Sequence, residues 1–93
     1  MRRVVPLPSF ERSVKRLSPQ DKKKLVEGLE KFNQFLVSGQ PSPGLGFKKI
    51  NHDKYEIRVD IRIRVVLKAE GDAFYLVLAG NHDEVRQYLR DFR

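Results

Sequence analysis

Four side chains in this sequence have the chemistry to hold a phosphate and move a proton beside it: Arg58, Arg64, His82 and Tyr88. An arginine offers a planar fork of N–H donors that matches phosphate oxygens, and it stays charged, so Arg58 and Arg64 suit electrostatic stabilisation rather than proton exchange. Histidine is the side chain whose ordinary pKa lies near neutrality, which makes His82 a candidate general acid or base toward a ribose 2′-OH. Tyr88 can stack on a base or donate to a phosphate. His52, the other histidine, lies in the loop-like Asn51-His52-Asp53-Lys54 and reads as a solvated side chain. There is no cysteine, which excludes disulfides, thiolate catalysis and Cys-based zinc sites. No P-loop, zinc-protease motif or dinucleotide fingerprint occurs. The acids are scattered among basic residues rather than clustered as a two-metal nuclease requires, so the pattern points to chemistry without metal or cofactor.

The elements that must position these groups follow from periodicity. From Tyr55 to Leu67 every odd residue is apolar, and the even ones are polar except Val66. One strand of that length is unusual, so a hairpin with Asp60 near its turn is expected. A loop of odd length, such as Asp60-Ile61-Arg62, keeps the apolar set on one face. In that register Ile57 pairs with Val65, Tyr55 with Leu67, and Arg58 lies across from Arg64. Like charges directly opposite destabilise a sheet, so the pair suggests a held anion; the alternatives are another register, or neutralisation by Glu56 and Asp60. Ala73 to Ala79 is almost wholly apolar and reads as a central strand covered on both faces. Asn81 then caps a last helix, with Glu84 as its reciprocal partner. His82 opens that helix, where backbone N–H groups favour an anion. Val85, Leu89 and Phe92 form its buried stripe, and Arg86, Arg90 and Arg93 lie toward its C-terminal end, where the helix dipole favours cations.

The N-terminal part is helical after a short lead-in. Arg3 to Leu7 reads as an edge strand limited by its prolines. Ser9 is placed to cap a helix from about Phe10 to Leu17, with Phe10, Val14 and Leu17 on one face. Ser18-Pro19-Gln20-Asp21 is a second helix start, followed by the stripe Leu25, Leu29, Phe32 and Leu36, with Val26 beside it and Gly39 as the stop. Gln40 to Gly46 is a Pro- and Gly-rich loop. No repeat or low-complexity stretch interrupts this order. The fold class expected is α+β, in the order β-α-α-β-β-β-α, with a helical hairpin and a C-terminal helix on one face of a mostly antiparallel sheet.

Length and charge bound the function. The chain has 93 residues, room for one domain over 1–93. A domain of this size has a thin core, so a shallow surface site is expected rather than an enclosed pocket. Lys and Arg number 19 against 12 Asp and Glu, a formal net charge of +7, the footprint of a nucleic-acid binder. An anionic membrane surface or an acidic protein would also answer to it. Lys48, Lys49, Arg62 and Arg86 are the cations expected to contact RNA. Lys15, Arg16 and Lys22 to Lys24 are either a further nucleic-acid face or an ordinary solvated helix surface. No apolar run is long enough to span a bilayer and the basic N-terminus lacks a signal-peptide stretch, so the reading is cytoplasmic.

Ser9-Phe10-Glu11-Arg12-Ser13-Val14-Lys15-Arg16-Leu17, Gly44-Leu45-Gly46-Phe47-Lys48-Lys49-Ile50, Tyr55-Glu56-Ile57-Arg58-Val59, Arg64-Val65-Val66-Leu67 and Gly80-Asn81-His82-Asp83-Glu84-Val85 together resemble the RelE/ParE superfamily of bacterial toxins. The similarity runs along essentially the whole chain in matching order. It implies the toxin of a type II toxin–antitoxin pair, with a cognate antitoxin whose acidic, foldable segment wraps the domain, and a complex that binds operator DNA through the antitoxin. Members of the RelE type cut messenger RNA, mostly on the ribosome and without metal, using basic strand residues and a tyrosine of the last helix. Arg58, Arg64 and Tyr88 match such positions, and His82 falls where members carry Arg or a catalytic His. Glu56 departs, because RelE carries a lysine there. The ParE branch shares the fold but inhibits DNA gyrase without enzymatic chemistry, and that is the alternative function.

Overall fold

The computed structural model describes residues 3–40 and 43–91. In chain order its elements are β1 (Arg3–Pro6), α1 (Pro8–Lys15), α2 (Pro19–Ser38), β2 (Gly46–Lys49), β3 (Lys54–Arg58), β4 (Arg64–Glu70), β5 (Ala73–Gly80) and α3 (His82–Asp91). The strands form one sheet in the order β1-β5-β4-β3-β2. β1 runs parallel to β5 and every other pair is antiparallel. This is the α+β arrangement expected, with one strand more. β2 pairs Phe47 with Ile57 and Lys48 with Glu56. Four residues, two of them lysines, are too short to show a strand period; the open edge of β3 makes them a strand by offering its backbone groups.

Helices cover both faces of the sheet rather than the one expected, and make two cores, because α3 buries Val85 against Val66 and Val77 on the side away from α1 and α2. Phe10 of α1 and Leu25 and Phe32 of α2 pack on Ile57, Val65, Leu67, Phe74, Leu76 and Ala79. Phe32, Phe47, Tyr55 and Phe74 form an aromatic cluster there, with Phe47 stacked on Tyr55 at 5.3 Å. On the other face Val85 of α3 packs on Val66 and Val77, with Tyr88 and Leu89 beside them. A bulge in β5 sorts its side chains between the two. Val66 faces Leu78 but the next residue, Leu67, faces Leu76, so Val77 is an extra residue. Leu76 and Ala79 therefore enter the first core while Val77 and Leu78 turn toward α3.

α1 completes the sheet edge where β1 stops. β1 pairing ends at Pro6 and Leu76, leaving the rest of that edge of β5 open. Ser9 Oγ donates to the Val77 carbonyl at 2.7 Å. One helical turn later, buried Ser13 Oγ accepts the Ala79 N–H at 2.9 Å and donates to the Phe10 carbonyl at 2.7 Å. Ser9 is thus no helix cap: α1 begins at Pro8, with Leu7 in the cap position and no side-chain cap bond. Proline's preset φ starts the helix two residues early and frees Ser9 for the sheet edge. The helix also ends at Lys15 rather than Leu17, although Leu17 still packs on the first core.

α2 starts and stops as read. The Asp21 N–H donates to Ser18 Oγ at 3.1 Å, and Gly39, at φ 77°, takes the left-handed conformation that lets its N–H reach the Phe35 carbonyl. Of the expected features, Phe92 and Arg93 and part of the Gln40–Gly46 loop lie outside the described residues. No helix among the described residues is long and apolar enough to cross a membrane.

Candidate phosphate-binding cleft

The β3–β4 hairpin takes the odd loop and the register it implies: Arg58 faces Arg64, Ile57 faces Val65 and Tyr55 faces Leu67. Asp60 builds the turn. Its Oδ1 accepts the N–H groups of Arg62 and Ile63, both at 2.8 Å, and its Oδ2 meets Lys24 Nζ at 3.1 Å. Burial pushes the Asp60 carboxyl up, but the Arg62 N–H, the Lys24 ammonium and the Ile63 N–H outweigh it and hold the group below its ordinary range. Asp60 therefore serves the loop and α2.

Glu56 is the acid that neutralises one arginine of the pair. Its side chain is only 7% exposed and lies on the α3 face of the sheet. It accepts from Arg64 Nη1 at 3.3 Å and stands 3.7 Å from Lys48 Nζ. Arg64 is itself largely buried, and its Nε has no hydrogen-bond partner within the structure. The cross-strand clash anticipated from the register is thus relieved from one side, by a diagonal neighbour rather than by Asp60.

α3 brings the remaining groups. The Glu84 N–H donates to Asn81 Oδ1 at 2.8 Å and the Asn81 N–H to Glu84 Oε1 at 3.0 Å, a reciprocal capping box. Gly80 lets it pack closely, since a Cβ there would come to 3.0 Å from Glu84 Oε1 and 3.2 Å from its Cβ, a tight fit. His82 follows at the first helical position, exposed. His82, Val85, Arg86 and Leu89 share one helical face and close a cleft of about 360 Å³ against β2, β3 and β4. Lys48, Lys49, Arg64, Arg86 and His82 line it around Glu56. Four permanent cations against one carboxylate give the cleft a positive charge that would attract an anion.

Five of the eight side chains singled out from the sequence therefore meet in this cleft. Three do not line it. Arg58 is exposed at the end of β3, packed over Gly46 of the edge strand. Arg62 is paired with Asp21 at 2.9 Å and lines a neighbouring cleft of about 530 Å³ that also has His82 on its rim. Tyr88 is half-buried in the second core and borders a groove with Arg16, Asp83 and Asp91 on the far side of α3. Residues 82 and 88 stand six apart, which turns them to different sides of the helix. His52 is exposed in the β2–β3 turn, as read. Sequence offered two readings of Glu56, a cation fewer than in RelE and a neutraliser of the arginine pair, and its contact with Arg64 bears out the second. Among the described residues, no three His, Cys, Asp or Glu side chains are grouped as metal ligands would be.

No protein-family model and no curated protein sequence matches the chain. Solved structures do. The likeness to the RelB–RelE antitoxin–toxin complex from Methanococcus jannaschii has a TM-score of 0.67 at 19% identity, covering 90% of this chain and 96% of that one. A metal-bound toxin from Helicobacter pylori gives 0.67 at 18% identity over 91% of this chain and 99% of that one. YafQ from Escherichia coli gives 0.64 at 14% identity over 91% and 98%. The chain thus has the fold of the RelE-type toxins, and the expected α+β architecture is the observed one.

Proposed function

We propose that this protein is the toxin of a type II toxin–antitoxin pair and an endoribonuclease that cuts messenger RNA without metal, on the ribosome. The observation that carries this reading is the cleft in which Arg64, His82, Lys48, Lys49 and Arg86 converge on the α3 face of the sheet. In RNA cleavage of this type the 2′-OH gives up its proton as its oxygen attacks the adjacent phosphate, a cyclic phosphate forms as the P–O5′ bond breaks, and the leaving 5′-oxygen takes up a proton; one of the two transfers falls to a side chain and the other to water. His82 is the group in the cleft suited to act as acid or base in one of these transfers. Arg64 stabilises the charge that grows on the non-bridging oxygens. Lys48, Lys49 and Arg86 hold the strand by its phosphates, and Arg58 and Arg62, on the borders of the cleft, extend that hold to neighbouring phosphates. Tyr88 acts at one remove, by fixing α3 on the second core.

The same cationic surface calls for a partner that masks it. An antitoxin with an acidic segment that folds on binding fits the charge, and operator DNA would be met through that antitoxin. Inducing the protein in a bacterium and mapping RNA 5′ ends tests the reading. New cuts within coding sequence, absent for Arg64→Ala, are expected. Intact RNA accompanied by DNA damage would replace the nuclease with gyrase inhibition.

A further inference from the structure

We infer that Glu56 is a positioning residue: its carboxylate holds the Arg64 guanidinium in the geometry that meets the scissile phosphate. The inference rests on the nuclease reading above and deepens it. By charge alone Glu56 is a defect, an anion at the centre of a phosphate site. Its geometry says otherwise. It is the most buried charged group in the cleft, 7% exposed, and its shorter contact is with the largely buried Arg64, 3.3 Å, rather than with the exposed Lys48, 3.7 Å. A carboxylate confined between strands and bonded to one end of a largely buried guanidinium narrows the rotamers of that arginine, where a free arginine samples many. Arg58, directly opposite on β3, pushes Arg64 toward that carboxylate. Among the described residues only Nη1 is engaged, and Nε is buried without a partner. A buried donor left unpaired is uncommon, and this one, closed to solvent, marks how tightly the stem of the arginine is enclosed. Arg64 is therefore held at one end by Glu56, and Nη2 is the donor left for an anion.

Glu56→Gln separates the two views, since it removes the charge at constant shape. A charge defect removed gives tighter RNA binding and faster cleavage. A positioning residue removed gives an equal or lower KM with kcat lowered about 10-fold or more, as for other groups that orient a reacting side chain. Glu56→Lys, the more cationic change, should be slow as well. Because the effect runs through Arg64, Glu56→Gln should add nothing to Arg64→Ala. In ¹⁵N spectra the Arg64 Nε–H should give a distinct, slowly exchanging signal in the native protein that is lost in Glu56→Gln. If the Gln variant unfolds, Glu56→Asp keeps the charge, withdraws it by one methylene, and should show the same loss of kcat. An unchanged or raised kcat in a folded Glu56→Gln protein overturns the inference. If the native protein cleaves no RNA, the nuclease reading fails separately, and an Arg64 Nε–H signal that persists in Glu56→Gln then overturns the positioning role by itself.

Discussion

Replacing Ser13 by alanine should damage this protein far more than replacing Ser9, although both serines bond the same strand edge from the same helix. Ser13 is 1% exposed, and its oxygen is the acceptor for the Ala79 N–H at 2.9 Å. β1 ends too early to supply another acceptor. Ser13→Ala therefore leaves a buried donor unpaired, at a cost of about 1–3 kcal/mol. In a domain of this size that is a fall in Tm on the order of 10 °C. Ser9 only donates, to the Val77 carbonyl, at a half-buried position. An under-used carbonyl is tolerated better than an orphaned N–H, so Ser9→Ala should cost under about 1 kcal/mol. Thermal and urea unfolding of the two variants, monitored by circular dichroism, provide the comparison. Ala79 precedes Gly80 and the α3 cap, so Ser13→Ala should also loosen His82 and lower cleavage below the transition temperature. Equal stability of the two variants would show that water or a backbone shift satisfies Ala79, and the argument that α1 finishes the sheet edge would be wrong.

Other outcomes follow from the cleft and the hairpin. His82→Ala and Arg64→Ala should each slow cleavage roughly 10²-fold or more, and neither should alter KM as strongly; a substrate with 2′-deoxyribose at the scissile position that is cut as fast as the ribose form would rule out the 2′-OH route. Log affinity for single-stranded RNA should fall with log salt by about 0.7 per phosphate contacted, and a Lys48→Ala, Lys49→Ala double variant should flatten the slope by one to two contacts; an unchanged slope in a folded variant would move the phosphate site elsewhere. Asp60 sits below its ordinary pKa of 3.8, so its contribution to stability is complete above about that pH and is lost as pH falls through the folded value. Asp60→Asn should accordingly lower stability at neutral pH and shrink the acid-side loss; stability curves against pH that superimpose for the two proteins would refute the assignment.

The parts of this protein that local chemistry dictates were legible in its residues. Ser18-Pro19 and Gly39 bracket α2 because caps act within one turn. Asn81 and Glu84 form their box for the same reason. The hairpin register followed from the strict alternation between Tyr55 and Leu67, since a slip of one residue would send every apolar side chain to the wrong face. That placed Arg58 opposite Arg64 before any coordinates. β2 was not legible, because four residues carry no period and the strand exists only as the partner of β3.

The make-up of the cleft was decided by tertiary structure. Type and spacing picked out Arg58, Arg64, His82 and Tyr88, but whether they meet depends on how α3 is rotated on the sheet. Its buried stripe, anchored by Val85 against Val66 and Val77, turns His82 and Arg86 toward Arg64 and leaves Tyr88 on the other side. The bulge at Val77 that seats this stripe has no signature in an all-apolar strand. Glu56 shows the same division. The alternation placed it on the basic face, and only its burial between β2 and β4, with a guanidinium and an ammonium converging on it, turns an anion in a cationic site from a subtraction into a fixed point. Sequence determines the elements and their faces because those are set by neighbours in the chain. The site is set by groups from β2, β3, β4 and α3, whose distances exist only once the core has packed.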